Sequence, residues 1–253
     1  MIDTHCHVYK EEMSNYEDII KECNNKNISM IINAVDIKSS KEILELSKKY
    51  NNVYAAIGLN YDAMDYLKES DIEELDNLLK ANKVAAIGEI GLDYYWTKDN
   101  KEKQIYFFKK QLELSKKYDL PVIVHARESI QDVYDIIKES GVRKGSMHCF
   151  NGSLEMAKEF IKLGFKIGFD GPITYKSNKK GVEIVKELDL KDILLETDSP
   201  YLSPEPKRGE QNSPLNLEHI AKKIAEIKEI SLEEVIEITT NNAKELYNLW
   251  IKN

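Results

Sequence analysis

Residues 101–127 read KEKQIYFFKKQLELSKKYDLPVIVHAR, one complete helix-then-strand unit. In the first eighteen positions Ile105, Phe108 and Leu112 recur at helical spacing and lysines fill the rest, which predicts an amphipathic helix over 101–118. PVIVH at 121–125 is short, apolar and β-branched, which predicts a buried strand. Similar apolar runs recur near 1–5, 28–34, 53–58, 84–89, 145–149, 165–169 and 192–197, each followed by helix-forming sequence. Strands that alternate with helices pair in parallel. Eight such units in 253 residues predict an α/β fold, a (β/α)8 TIM-type barrel forming a single domain over 1–253. An open doubly wound sheet is the alternative, but eight regular units favour closure.

The remaining features narrow the function classes. The net charge is −8, which disfavours a broad lysine- and arginine-based grip on nucleic acid but leaves room for a small anion site with bound cations. Three cysteines are an odd number in a chain this long, so a disulfide framework is not expected and a reducing, cytoplasmic location is. No apolar run approaches the length of a membrane span, and no secretory signal is expected. Ser153 is an expected cap for the helix that follows it, and Ser231 with Glu234 is an expected capping box. The long loop 199–214 carries four of the six prolines and follows the eighth strand.

Four of the five histidines fall at predicted strand ends: His5 and His7 on strand one, His125 on strand five and His148 on strand six. Glu89 and Asp198 fall at the ends of strands four and eight. That face of a barrel carries its chemistry. A lone histidine is more often a surface or satisfied group than a ligand, and His219 gets that reading. Four reaching one face by chance is a poor explanation of the others. The pleat aims His5 and His7 to one side and Cys6 to the other, so Cys6, and with it Cys149, reads as a buried structural thiol. Imidazoles and carboxylates suit divalent cations, and six donors exceed what one tetrahedral zinc needs. Two divalent metal ions, Mg, Mn or Zn, are therefore expected. No nucleophile elbow, phosphate-binding loop or Cys-x-x-Cys competes.

Seven stretches in order then resemble the TatD family of metal-dependent deoxyribonucleases, among the amidohydrolase-like barrels. They are DTHCH (3–7), IGEIGLDYY (87–95), PVIVHAR (121–127), MHCFNGS (147–153), IGFDGPITY (167–175), LLETDSPYL (194–202) and RGEQNSP (208–214). The resemblance implies that His5, His7 and Asp198 bind one metal, that His125 and His148 bind the second, and that Glu89 bridges them. It implies hydrolysis of a DNA phosphodiester, with Glu89 and Asp198 as catalytic residues, Arg127 and Arg208 as substrate contacts, and DNA, single-stranded or at an end, as partner. No protein partner is evident. Tyr201 and Tyr94-Tyr95-Trp96 are candidates to stack on bases, Asn212 to shape its loop, and Asp93 and Asp3 to support ligands. Many relatives follow the paired histidines with Leu-Asp where this chain has Val8-Tyr9; a change in packing and not in metal count is expected. The alternative is an amide or ester hydrolase of the amidohydrolase type, including deacylation of mischarged tRNA. Such barrels often use a carboxylated lysine, and around strand four only Lys83 is available. A third possibility is a binding module with a purely structural metal.

Overall fold

The structure, a computed structural model, describes residues 1–82, 84–96 and 98–249. Lys83 lies outside them. Eight parallel strands run in chain order: β1 (Ile2–Cys6), β2 (Ser29–Asn33), β3 (Val53–Ile57), β4 (Ala86–Asp93), β5 (Val122–Arg127), β6 (Gly145–Met147), β7 (Phe165–Phe169) and β8 (Ile193–Leu195). Between and after them lie α1 (Tyr16–Asn25), α2 (Ile37–Lys49), α3 (Glu69–Ala81), α4 (Lys101–Tyr118), α5 (Ile130–Ser140), α6 (Leu154–Lys162), α7 (Lys179–Glu187), α8 (Leu217–Lys228) and α9 (Leu232–Tyr247). This is the expected TIM barrel. The first and last strands are drawn together by Thr4, whose hydroxyl donates to the Leu195 carbonyl, and by the Asp198 N–H, which donates to the His5 carbonyl at 2.9 Å. Two site residues thus take part in closing the barrel.

Strand interiors are apolar on both faces because helices cover the outside and side chains fill the inside. Toward the strand starts Ile2, Ile31, Ala86, Ile123 and Leu194 pack with Tyr247 and Leu249, which stopper that end; the Tyr247 hydroxyl bonds Ser146 at 2.7 Å. The polar buried residues collect at the opposite end, where the strands finish. Helix α4 spans the expected 101–118, but its buried face differs from the expected one. Ile105 is half-buried, whereas Gln104 and Gln111 are buried with Phe107, Phe108 and Leu112. Each glutamine clamps a strand end by two bonds: Gln104 takes the Asp93 N–H and donates to its carbonyl, and Gln111 does the same for Leu59. Ser153 caps α6 through the Met156 N–H, and Ser231 caps α9 through the Glu234 N–H.

Candidate metal centre

Strand pairing brings the six expected donors to one place. His5 lies in β1, and His7 follows it by one pleat, with the two Nε2 atoms 3.2 Å apart. Glu89 does not end β4 as expected: the strand continues to Asp93, and the β4–β5 register shifts between Ile87 and Ile90, around Glu89. That irregularity turns the Glu89 side chain into the mouth while Gly91 to Asp93 resume pairing with His125 to Arg127. His125 is inside β5, His148 is one residue beyond β6, and Asp198 is three beyond β8.

The Glu89 carboxylate divides the imidazoles into two sets. Its Oε2 lies 3.6 Å from His5 Nε2 and 3.4 Å from His7 Nε2. Its Oε1 lies 3.1 Å from His125 Nδ1 and 2.9 Å from His148 Nε2. Asp198 Oδ1 sits 3.4 Å from His5 Nε2 and 3.7 Å from His7 Nε2. Three overlapping groups result, each able to hold a cation: His5, His7 and Glu89; Glu89, His125 and His148; and His5, His148 and Asp198.

The surroundings orient two of the rings. His7 Nδ1 lies 3.0 Å from the Asn33 carbonyl, which can only accept, so the proton sits on Nδ1 and leaves Nε2 free for the centre. His125 is turned the other way round: Asp93 Oδ2, 2.9 Å from Nε2, holds the proton there and leaves Nδ1 facing Glu89. Asp93 Oδ1 accepts the N–H groups of Tyr95 and Trp96, so the carboxylate is itself fixed. Asp3 supports backbone and not a ring. It accepts the N–H groups of His5 and Thr197 and the Thr197 hydroxyl.

Charge follows from this packing. Burial opposes ionisation of Glu89, yet the charges of His148 and His5 and hydrogen bonds from His125 and His148 hold its carboxyl well below the usual range. Burial, helped by the nearby His148, pushes His5 down to about 4. Burial also opposes protonation of His7 and His125, but Glu89 raises His7 to about 9, and Asp93 with Glu89 raises His125 to about 9. Four imidazoles crowded on the buried Glu89 and the half-buried Asp198 are the donor chemistry of a cation site.

Among the other expected residues, Arg127 lines the cavity beside the centre, its guanidinium 3.7 Å above the Tyr95 ring and 5.4 Å from that of Trp96. Arg208 instead packs 4.4 Å from the Tyr175 ring and faces Glu205 at 4.0 Å. Tyr94 is buried, whereas Tyr95, Trp96 and Tyr201 are exposed. Asn212 is buried and ties the long loop to the Thr197 and Tyr201 carbonyls, so it does shape that loop. Val8 and Tyr9 are buried, and the six donors stay together. His219 is half-buried on α8. Cys149 departs from expectation: it is half-buried and lines the cavity, because β6 ends at Met147 and the strand alternation no longer governs it. The sequence reading overlooked Tyr61, whose ring lies 4.5 Å from that of His125, and Asp62, which lines the mouth and is pushed up to about 6 by burial and Glu89. Their place in the loop directly after β3 was the available signal.

The comparisons with known proteins agree with this geometry. The family described as TatD related DNase matches residues 2–248. The chain belongs to the TatD family. It is 39% identical to YabD of Bacillus subtilis (strain 168), described as an uncharacterized metal-dependent hydrolase, over 98% of this chain and 99% of that one. The crystal structure of YjjV, a TatD homologue from Escherichia coli K12, superposes with a TM-score of 0.92 at 32% identity, covering 99% of this chain and 98% of that one. A TatD-family hydrolase from Entamoeba histolytica superposes with a TM-score of 0.85 at 27% identity, covering 98% and 97%. This TatD-family chain is a metal-dependent hydrolase.

Proposed function

We propose that this protein hydrolyses phosphodiester bonds in DNA at a centre of two divalent cations. The observation that carries the reading is Glu89, whose two oxygens serve two separate histidine sets. His5, His7 and Asp198 would hold one ion and His125 and His148 the other, with Glu89 between them. Bound there, Mg, Mn or Zn would lower the pKa of water and offset charge on phosphoryl oxygens. Burial opposes ionisation of Asp198, but a hydrogen bond from His5 and the charges of His5, His148 and His7 together hold its carboxyl below the usual range, and at the cavity edge it can accept the attacking water's proton. Arg127, stacked on Tyr95, presents a preformed cationic fork to a phosphate at the mouth. Tyr95, Trp96 and Tyr201 add exposed rings that can stack on bases. Arg208 lies further along the loop after β8 and would meet phosphate outside the mouth. DNA is the expected partner, single-stranded or at an end, because the net charge of −8 offers no extended cationic track for a duplex.

Among the described residues no helix is long and apolar enough to cross a membrane. With three free cysteines, we place the protein in the cytoplasm.

The test is cleavage of single-stranded DNA by purified protein supplied in turn with Mg, Mn and Zn, beside a panel of esters and amides. Metal-dependent DNA cleavage abolished by Glu89→Ala supports the reading. Ester or amide turnover without DNA cleavage would transfer the site to the other hydrolase class.

A further inference from the structure

Next to the metal centre lies a cavity of about 660 Å³, within the roughly 300–1,000 Å³ of pockets that enclose a small ligand. His125, His148 and Asp198 form one end of it. Phe150 after β6, Phe169 at the end of β7, Pro172 and Ile173 beyond it and Ile184 in α7 also line it, together with Asp62 and Asp170. Arg127 and Lys180 also line it; Lys180 Nζ donates to the Asn151 carbonyl at 2.9 Å, which anchors that loop and sets a cation beside the cavity. Arg127 and Lys180 offer cations to an anion, the apolar side chains offer a surface for a flat ring, and Asp170 and Asn178 offer polar partners to its edge, which suits a ligand with an anionic part and a ring of apolar faces and polar rim.

Arg127, Trp96 and Tyr201 line this space as well, and stacking on their surfaces alone would not fill a volume of that size. Of the parts of a nucleotide, a phosphate inside would lose hydration against Phe150, Phe169 and Ile173 and would meet the carboxylates of Asp62 and Asp170. Only the base offers flat apolar faces.

We propose that this cavity is a nucleobase subsite, receiving the base of a nucleotide that flanks the scissile phosphate while Arg127 and Lys180 hold the backbone outside. The inference rests on the phosphodiesterase reading above. Its consequence is that binding energy from a base, remote from the reacting phosphorus, is used to place the phosphate over the metal centre. A phosphodiester without a base then loses that positioning, although the bond broken is the same.

The experiment compares two substrates of the metal-loaded enzyme, thymidine 5′-(p-nitrophenyl phosphate) and methyl p-nitrophenyl phosphate, with cleavage of single-stranded DNA as the parent assay. The expected kcat/KM ratio favours the nucleoside ester by about tenfold or more, the worth of roughly 1.4 kcal/mol. Ile184→Trp, which directs a ring into the cavity, should bring the ratio close to one. Asn151→Trp, at an exposed position on the same cavity, is the second variant if the first does not fold. Turnover of both esters at equal efficiency by the unaltered enzyme overturns the subsite and leaves the phosphodiesterase reading intact. So does a preference that persists undiminished in a folded variant. Failure to cleave either ester or DNA with any of the three metals overturns the phosphodiesterase reading itself, and the subsite with it.

Discussion

Asp93→Asn should weaken metal binding without unfolding the chain. The side chain is fully buried, with Oδ1 accepting two backbone N–H groups and Oδ2 set 2.9 Å from His125 Nε2. Asparagine fits the same space, and its oxygen can keep the Tyr95 and Trp96 N–H bonds. Its amide NH2 then points at His125 Nε2, which must become an acceptor. The imidazole proton moves to Nδ1, the atom 3.1 Å from Glu89 that is needed for the ion. Loss of such an outer partner typically weakens binding 10- to 100-fold, about 1.4–2.7 kcal/mol. The tautomer switch puts this variant toward the upper end. Calorimetric titration of metal-free wild-type and variant protein with Mn and with Zn measures the change, and circular dichroism of both checks the fold. Two ions bound with unaltered affinity by a folded Asp93→Asn protein would refute the argument that Asp93 sets the His125 tautomer.

Metal affinity should also rise with pH. His7 is raised to about 9 by Glu89, and His125 to about 9 by Asp93 and Glu89, both against burial, so each is protonated at neutrality and must lose its proton to bind an ion. Affinity should climb by about tenfold per pH unit for each proton released and level off above about pH 9; a flat profile between pH 6 and 8 in Mn titrations would contradict it. Gly91→Ala should cost at least about 2–3 kcal/mol, because φ there is +143° and a Cβ would lie 2.1 Å from the His125 carbonyl oxygen; an unchanged urea midpoint would show that the β4–β5 pairing yields. Asp76, far from the centre, accepts from Lys117 and Tyr118 and pairs with Lys80, which holds its carboxyl well below the usual range. A depressed carboxylate stabilises the fold above its unfolded pKa and loses that effect as pH falls through the folded value. Asp76→Asn should therefore cost about 1 kcal/mol at pH 7 and progressively less below pH 4, measured by urea unfolding at both ends of the range.

The barrel and its six donors are legible in the chain because both depend on short-range pattern. Alternation of apolar runs with helical spacing survives any error in strand ends, so His5 and His125 are placed correctly even though the predicted boundaries shift by a few residues. Glu89 shows where that reading stops. Counting from the apolar run ends β4 at Glu89, while four further residues of the strand pair with β5. The deviation lies in backbone geometry around Gly88 and Glu89, and no residue type announces it.

The outer support is less visible, for a different reason. Gln104 and Gln111 occupy the core-facing side of α4, where polarity normally marks a solvated face. They are seven residues apart, two helical turns, and each meets the end of a different strand, β4 at Asp93 and the segment after β3 at Leu59. A glutamine amide presents an acceptor and an NH2 donor side by side, the complement of a backbone N–H and C=O at a strand end with no further strand partner, and its second N–H is left for Asn100 in Gln104 and for the Phe107 carbonyl in Gln111. The helix thereby fixes Asp93, Asp93 fixes the proton of His125, and His125 is left with Nδ1 toward Glu89. Each step is a pairing across more than ten positions of sequence, and its partner is chosen by the closed barrel. Gln104→Leu, which keeps the packing and removes the clamp, isolates this linkage: metal affinity in Mn titrations should fall while the apolar face of α4 stays covered.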